Sequence, residues 1–309
     1  MKKNLVVLLG PTAIGKTELS IGLAQAVGGE IISADSMQIY RYMDIGSAKV
    51  TREEQAGVPH HMLDIVDPEE DFTVSDYKRE AELIIDRLNE EGKLPIVTGG
   101  TGLYINSLVY KLNFTRAEAN QDLREELEKL AEDKGVEEVH AILEAVDPET
   151  ASKLHPNDLK RVIRAIEIYR ESGVKASDYN KNFRSELEDY NLTMLGLTMD
   201  RQKLYERINE RVDLMMEAGL LEEIQDLIAR GYTKDLVSMQ GIGYKELINH
   251  LEGNMGLEET IDLIKKKSRN YAKRQLTWFR RDERIQWFNK DDYSSQDQLL
   301  EDMLAAIRS

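Results

Sequence analysis

The chain has no cysteine and only five histidines among its 309 residues. The absence of cysteine excludes disulfides, thiolate zinc sites, iron–sulfur clusters and thiol nucleophiles. The histidines do not restore a zinc site, because adjacent residues do not share a face of a strand or helix. The histidines are one adjacent pair and three isolated residues: His60, His61, His140, His155 and His250. We therefore expect them to be structural.

The sequence also lacks any apolar stretch that approaches the roughly 20 residues of a membrane span. Its N-terminus imitates a signal peptide, since Met1-Lys2-Lys3 precedes an apolar run. That run leads into a glycine-containing loop, however, and not into a small-residue cleavage site. The mean hydropathy is −0.48, and 32% of the residues are charged. We expect a soluble, helix-rich cytoplasmic protein without membrane association.

Positive charge is scarce overall, because 57 acidic residues face 41 basic ones and the net charge is −16. This balance argues at first against nucleic acid as a partner. The distribution says otherwise: residues 265–284 hold nine basic and two acidic residues, interleaved with aromatic ones. Such a segment suits contact with a phosphate backbone. It equally suits a solvated amphipathic helix with its aromatic residues in the core, and both interpretations stay open.

An eight-residue motif near the N-terminus has the pattern G-x-x-x-x-G-K-[ST] of a phosphate-binding loop. It consists of Gly10, Pro11, Thr12, Ala13, Ile14, Gly15, Lys16 and Thr17. An apolar run at 5–9 precedes it as a buried strand would, and a helical pattern follows it. In this context the glycines let backbone amides surround an anion, the lysine adds a charge, and the Thr17 hydroxyl can bind Mg²⁺. The motif predicts a di- or triphosphate ligand without saying which bond breaks.

The pattern of elements predicts an α/β protein with two domains. Strand-like runs at 5–9, 30–34, 94–98 and 192–198 alternate with helical patterns such as 75–89, which indicates a parallel, P-loop NTPase-like sheet flanked by helices. From about residue 114 to residue 190, leucine, valine and isoleucine recur at helical spacing and no strand-like run interrupts them. We therefore predict a catalytic core of residues 1–113 and 191–309, and an all-helical insertion domain of residues 114–190.

Ionisable residues at the ends of these elements are candidates for catalysis. Asp35 follows the second strand, where it should face the phosphate loop and could deprotonate an acceptor. It could instead cap a helix. Arg207 and Arg211, four residues apart, could neutralise a leaving diphosphate, or pair with neighbouring acids on their helix. A basic cluster of Lys160, Arg161 and Arg164 in the insertion could contact phosphates or form a solvated face.

Six segments together resemble one family, the tRNA dimethylallyltransferases. They are GPTAIGKT (10–17), SADSMQIYRYMDIGSAK (33–49), TGGTGLY (98–104), HPNDLKRVIRAIE (155–167), QGIGYKE (240–246) and AKRQLTWFRRD (272–282). They occur in the family's order and span almost the whole chain. Eukaryotic relatives add a C-terminal zinc finger, which a chain without cysteine cannot form, so the resemblance is to the bacterial type.

The resemblance implies prenyl transfer from dimethylallyl diphosphate to N6 of adenosine 37 of a tRNA, with Mg²⁺ and with a monomeric enzyme. Catalytic roles are implied for Asp35, Thr101, Arg211, Lys16 and Thr17, with Arg207 a less certain alternative to Arg211. Residues 12–17 would hold the diphosphate, and Thr17 would contact the metal. Contacts with the tRNA are implied for Asp35, Ser36, Met37, Gln38, Arg124, Asn157, Asp158, Leu159, Lys160, Arg161, Arg164, Gln240, Gly241, Ile242, Gly243, Tyr244 and Lys245.

Three other functions share some of these features. A small-molecule P-loop kinase would also have the loop, an aspartate after the second strand and arginines in a lid, but it would not need the basic segment at 265–284. A non-catalytic RNA-binding switch would bind nucleotide and tolerate loss of Asp35. An enzyme that prenylates free adenine nucleotides would need neither the helical insertion nor the basic segment.

Overall fold

The computed structural model describes residues 2–112, 120–180 and 185–308. Six strands in these ranges form one parallel sheet in the order β3-β2-β4-β1-β5-β6. Their bounds are β1 Lys3–Leu9, β2 Glu30–Ala34, β3 His60–His61, β4 Pro95–Gly99, β5 Tyr190–Thr198 and β6 Ile285–Asn289. The predicted α/β class with a parallel sheet is confirmed. The four predicted strands lie within one or two residues of β1, β2, β4 and β5.

Helices account for most of the remaining described chain. The first eight are α1 Lys16–Val27, α2 Val74–Glu90, α3 Gly102–Val109, α4 Gln121–Lys134, α5 Val136–Val146, α6 Pro148–Ala151, α7 Leu159–Ser172 and α8 Ala176–Asn180. The others are α9 Arg201–Glu217, α10 Leu220–Ala229, α11 Tyr244–Leu251, α12 Leu257–Phe279 and α13 Gln296–Arg308. None of these helices is both long enough and apolar enough to cross a membrane.

Local sequence explains where several of these elements begin and end. The central strands are continuous apolar runs because helices cover both faces of a parallel sheet, and Leu5–Leu9 is wholly buried. Helix α2 begins at a capping box in which Thr73 and Asp76 satisfy each other's backbone amides. Helix α9 begins at Asp200, whose carboxylate accepts from the amides of Gln202 and Lys203.

Two compact units make up the fold. The first contains Met1–Leu108 and Glu188–Ser309 and holds the whole sheet; the second contains Val109–Leu187. In the second unit, Tyr110 pairs with Glu186 and the amide of Lys111 donates to Ser185. These pairings join the two ends of the second unit. The boundary predicted between residues 113 and 114 lies outside the described residues, and the one predicted between 190 and 191 falls at the start of β5.

Two strands of the sheet, β3 and β6, could not be predicted from the sequence. β3 has only two residues, too few to show alternation or an apolar run. β6 directly follows the basic segment, and in the sequence its Trp287 and Phe288 continue the pattern of aromatic residues in that segment. In the structure β6 is the edge strand of the sheet and pairs with β5, with Gly196 opposite Trp287. Two helices, α10 and α11, lie between α9 and the basic helix α12.

The carboxyl ends of the strands meet at one edge of the sheet. Leu9 lies opposite both Gly99 and Gly196, and Thr198 lies opposite Asn289. Residues that follow β1, β2, β4, β5 and β6 therefore converge there, as the prediction for Asp35 and the phosphate loop requires. Beside this edge, segment 37–45 packs on helices α9 to α12 in an apolar cluster that includes Ile39, Tyr244 and Ile264.

Candidate active site

The phosphate loop joins β1 to the first turn of α1. Gly15 has φ of +92°, a left-handed conformation that glycine adopts without strain, and it immediately precedes the helix. The ammonium group of Lys16 folds back over the loop and donates to the carbonyl oxygens of Gly10 (3.0 Å) and Pro11 (2.8 Å). The loop thus directs the N-terminus of α1 and a lysine at the same space, a combination that favours anions.

Four cationic side chains gather around this loop: Lys16, Arg207, Arg211 and Lys290. Arg207 Nε donates to the carbonyl of Ala13 (3.0 Å), and Lys290 Nζ donates to that of Ile14 (3.2 Å). In the described residues none of the four has a carboxylate within ion-pair distance. Arg207 therefore does not pair with acids on its own helix.

The titration of these groups reflects the crowding. Burial, and then the charge of Arg211, lower the pKa of Lys16 to about 7, although Asp35 opposes the shift. Burial lowers the pKa of Arg211 as well, again against Asp35. Burial and then Arg207 lower the pKa of Lys290. Several basic groups whose protonation is disfavoured by burial and by one another indicate a site built for a polyanion.

Asp35 directly follows β2 and lies near Lys16 and Arg211. Its Oδ1 accepts a hydrogen bond from the amide of Met37 (2.9 Å), which closes a tight turn. No helix begins there, so the helix-cap alternative for Asp35 is wrong. Its charge is felt by Lys16 and Arg211, which places a carboxylate beside the cluster of cations without a direct ion pair.

Thr101 connects the ends of β2 and β4. Its amide donates to the carbonyl of Ala34 (3.1 Å), and its hydroxyl accepts from the amide of Ser36 (3.1 Å). Thr101 and Gln275 lie close enough to the Tyr271 hydroxyl to lower its pKa. Burial, with the added charge of Asp35, nevertheless raises the pKa of Tyr271 to about 12, so this phenol stays protonated near neutral pH.

Gln275, for which the sequence predicts no role, is buried and lines the site. Its Oε1 accepts from the amide of Thr12 (2.9 Å), and its Nε2 donates to the carbonyl of Gly100 (2.9 Å). Gly100 has no room for a side chain, because a Cβ there would overlap the Gln275 amide. In the sequence, Tyr271 is one of the aromatic residues of the basic segment. Both residues lie in or beside the family motif at 272–282, but no local pattern distinguishes them from surface residues of α12.

Two adjoining cavities meet at Asp35. The first, of about 130 Å³, is lined by the phosphate loop and by polar side chains such as Ser33, Gln38 and Thr98. The second, of about 320 Å³, has apolar walls that include Ile208, Met215 and Ile264. Both are lined by Thr12, Ala13, Asp35, Ser47, Arg211 and Tyr271. A carboxylate, an arginine and a phenol thus stand where a compartment suited to an anion opens into one suited to an apolar group.

A metal site made of protein carboxylates is absent from the described part of the chain, where no three acidic or histidine side chains cluster. The first cavity does present hydroxyl oxygens. Thr17 lines it, and Thr98 Oγ1 is buried there without a hydrogen-bond partner in the described structure. Mg²⁺ commonly keeps several waters and binds few protein oxygens together with substrate phosphates, so this donor set fits a phosphate-bound Mg²⁺.

The segments predicted to contact tRNA divide into cavity-lining and supporting residues. Ser36, Met37 and the Gln240–Gly243 stretch line the second cavity. Tyr244 is buried instead and donates to Glu223 Oε1 (2.7 Å). Glu223 also accepts from the amides of residues 44, 45 and 46, at 2.7–3.1 Å. Lys245 is exposed.

Gln38 has both a cavity-lining and a supporting position. It lines the first cavity. Its side chain accepts from the Ser33 hydroxyl and donates to the carbonyls of Ser47 and Ala48. Gln38 and Glu223 therefore hold the loop at 44–48 from opposite ends.

The second unit carries the remaining predicted contacts on α4 and α7. Glu167 is fully buried there, and its carboxylate accepts from Arg124, Arg164 and the amide of Asn120. Lys160 and Arg161 are exposed, and Arg161 pairs with Asp158 (2.7 Å). Asn157, Asp158 and Leu159 form the turn into α7. Arg124 and Arg164 thus neutralise a buried acid, while the charges nearest solvent are those of Lys160 and Arg161.

The basic segment combines the two interpretations left open by the sequence. Lys265 and Lys267 pair with Asp213 and Glu246, and Phe279 is buried. Residues spaced by seven on α12 remain exposed on one face: Lys266, Lys273 and Arg280. One side of the helix therefore packs against the protein while the other presents a positive stripe to solvent.

Comparison with known proteins gives a consistent result. The sequence profile of the family described as "IPP transferase" matches residues 38–282. A tRNA dimethylallyltransferase of Alkaliphilus oremlandii is 53% identical over 304 residues, which is 98% of this chain and 97% of that protein. The enzyme of the same name from Acetivibrio thermocellus is 48% identical over 97% of this chain and 96% of its own length.

Solved structures similar to this chain are also tRNA prenyltransferases. The full-length tRNA isopentenylpyrophosphate transferase of Bacillus halodurans superposes with a TM-score of 0.75 at 46% identity, over 99% of this chain and 96% of that one. A eukaryotic dimethylallyltransferase acting on tRNA gives a TM-score of 0.82 at 31% identity, over 98% of this chain and 80% of its own.

Proposed function

This chain belongs to the IPP transferase family of tRNA dimethylallyltransferases, and we propose that it is the transferase that prenylates adenosine 37, next to the tRNA anticodon. In the reaction, N6 of the adenosine attacks C1 of dimethylallyl diphosphate. The C1–N6 bond forms, the C1–O bond breaks, and diphosphate leaves with the bonding electrons. The amine loses one proton, so the site must accept a proton and stabilise a leaving polyanion.

The observation that carries this proposal is that cations without an ion-pair partner line the same cavity as a carboxylate. Lys16 and Arg211 lie near Asp35 without a direct ion pair, and the two cavities join beside them. The cations suit the diphosphate, and the carboxylate suits the amine. The apolar second cavity supplies walls for the dimethylallyl group or for a base displaced from its stack.

Asp35 is the proposed general base. Its Oδ1 is held by the Met37 amide, which leaves Oδ2 to accept the proton of N6 as the new bond forms. General-base catalysis of this kind contributes about 10²–10⁴-fold. Thr101, whose hydroxyl already joins the ends of β2 and β4, would orient the acceptor beside Asp35.

Arg211 and Lys16 are proposed to stabilise the leaving diphosphate. Arg211 lines both cavities and therefore lies where the breaking C1–O bond would be, whereas Arg207 lines neither. Fixed cations in a partly desolvated site act most strongly on charge that develops in the transition state. This assignment favours Arg211 over Arg207 as the catalytic arginine.

Mg²⁺ is the proposed cofactor, with the Thr17 hydroxyl as its protein ligand and the buried Thr98 hydroxyl available to a metal-bound water. When bound, the ion would neutralise part of the diphosphate charge. The phosphate loop would orient the diphosphate through its amides and Lys16. Residues of the protein, rather than the metal ion, would therefore position C1 opposite Asp35.

For the tRNA, we propose contacts at three places. Met37 and Gln240–Gly243 would line the entry of the base, Lys160 and Arg161 would bind phosphates of the anticodon stem-loop, and the exposed stripe of α12 would add further phosphate contacts. Because its proposed substrate is tRNA, we place the enzyme in the cytoplasm, and we propose that it acts as a monomer.

The test is incubation with unmodified tRNA, dimethylallyl diphosphate and Mg²⁺, followed by mass analysis of the nucleosides. N6-isopentenyladenosine at position 37 is expected. Parallel reactions with AMP and with γ-labelled ATP separate the alternatives. Prenylated AMP without prenylated tRNA, or label transfer from ATP to a small acceptor, would contradict the proposal. The relatives named above favour prenyl transfer over the kinase.

A further inference from the structure

Lys290 reaches the phosphate loop from the C-terminal part of the chain. It immediately follows β6, whose last residue pairs with Thr198 at the same sheet edge as the loop. Its Nζ donates to the carbonyl of Ile14 (3.2 Å) and would lie 3.0 Å from a Cβ placed on Gly15. The ammonium group is thus within contact distance of the turn at which the loop becomes a helix.

We propose that Lys290 is a further diphosphate-binding residue, which together with Arg207 clamps the substrate against the second half of the phosphate loop. The inference deepens the proposed function and rests on it, because it names a group that holds the leaving diphosphate. It also brings the segment after β6 into the active site.

The surroundings of Lys290 are typical of an anion-binding site. A surface lysine usually keeps its ammonium in water or beside a carboxylate. Lys290 is partly buried and lies next to Arg207, and within the described residues its ammonium group has only a carbonyl oxygen as hydrogen-bond partner. Glu18 is the acid whose charge it feels, without a hydrogen bond between them. Two cations held side by side repel each other, and a bound anion would relieve this repulsion.

The arrangement repeats that of the motif lysine on the other half of the loop. Lys16 rests on the carbonyls of Gly10 and Pro11, while Arg207 and Lys290 rest on those of Ala13 and Ile14. In each case the carbonyl oxygen is a neutral acceptor. A phosphate oxygen is charged and forms a stronger hydrogen bond, so a diphosphate in the loop would draw these side chains toward it.

Asp291 fixes the segment that carries Lys290. Its Oδ2 accepts from the amide of Asp200 and its Oδ1 from Lys203, both at 2.5 Å. Asp200 caps α9, the helix that bears Arg207 and Arg211. Lys290 and the two arginines are therefore held by one connected set of contacts, in which Asp291 is a positioning residue.

Titration calorimetry with inorganic diphosphate and Mg²⁺ tests the clamp. We expect Lys290→Met to weaken diphosphate binding about 10- to 100-fold, the usual effect of losing one charge-assisted hydrogen bond, and Lys290→Arg to retain most of the affinity. Lys3→Met is the matched control, because Lys3 pairs with Asp86 at the opposite end of β1. It should bind diphosphate as the wild type does.

Steady-state kinetics separate this role from simple support of the loop. Lys290→Met should raise KM for dimethylallyl diphosphate and leave KM for tRNA unchanged. Asp291→Asn keeps Lys290 but weakens its anchor, so it should raise the same KM by a smaller factor. Thermal unfolding checks that each variant is folded, and Asp291→Asn provides the test if Lys290→Met is not.

The outcomes distinguish the inference from the function on which it rests. Wild-type protein that transfers no dimethylallyl group overturns the proposed function. Wild-type protein that is active, alongside a folded Lys290→Met or Asp291→Asn variant with unchanged diphosphate affinity and KM, overturns only the clamp. A variant that loses tRNA and diphosphate affinity equally also contradicts it, because that pattern indicates general damage to the site.

Discussion

The amide of Thr12 donates a 2.9 Å hydrogen bond to the side chain of Gln275, a residue 263 positions later in the chain. The same side chain donates to the carbonyl of Gly100, in the loop after β4. One buried amide group therefore connects the phosphate loop with the neighbouring strand end. It also occupies a backbone amide of the loop that the sequence assigned to the diphosphate.

Replacing Gln275 with methionine should loosen this connection. The change preserves much of the side-chain volume but leaves the Thr12 amide and the Gly100 carbonyl without partners, which costs about 1–3 kcal/mol for each buried polar group. We expect a lower free energy of unfolding and a raised KM for dimethylallyl diphosphate. Urea denaturation and steady-state kinetics measure the two effects. Thr277→Met, an exposed change two residues away on α12, should alter neither.

Asp35→Asn should separate base catalysis from structure. Asparagine keeps an oxygen that can accept from the Met37 amide, so the turn after β2 should persist. We expect turnover to fall by about 10²-fold or more, while affinity for tRNA, measured by filter binding, stays within about twofold. Turnover close to that of the wild type would remove Asp35 from the chemistry and would restore the RNA-binding switch as a candidate.

Arg211 and Arg207 should differ in which kinetic constant they control. Arg211 lines both cavities, so Arg211→Gln should lower kcat by about 10²-fold through lost stabilisation of the leaving group. Arg207 contacts the rim of the loop through Ala13, so Arg207→Gln should mainly raise KM for dimethylallyl diphosphate. If the two patterns were exchanged, Arg207 would be the catalytic arginine.

Lys16 should take up a proton when diphosphate binds. Its pKa of about 7 leaves it roughly half protonated at neutral pH in the free protein, and an adjacent polyanion raises the pKa. The bound state therefore holds more protons, and the uptake should be larger at pH 8 than at pH 7. Calorimetry in buffers of different ionisation enthalpy measures it, with Lys16→Arg as the variant that cannot take up this proton. Equal uptake by both proteins would contradict the assignment.

Most of the sheet could be predicted from local sequence. β1, β2, β4 and β5 are apolar runs with glycine or polar residues after them, and a buried parallel strand requires such a run. β6 could not be recognised in this way. Its residues Gln286, Trp287 and Phe288 form a strand because β5, which pairs with β1 on its other side, offers them its backbone groups at residues 194–198.

By itself, the sequence determined the chemistry available to this protein: a phosphate loop, an aspartate after a strand, helical arginines and no thiol. These features are local, since each depends on residue type and on spacing within one element. Only the tertiary structure decided which side chains share a cavity. Tyr271 and Gln275 line a cavity with the phosphate loop, and Lys290 contacts the loop itself, although all three lie more than 250 residues later in the chain. They do so because α12 and the segment after β6 lie at the strand ends. No local pattern encodes such distances, since they arise when the whole sheet and its helices pack.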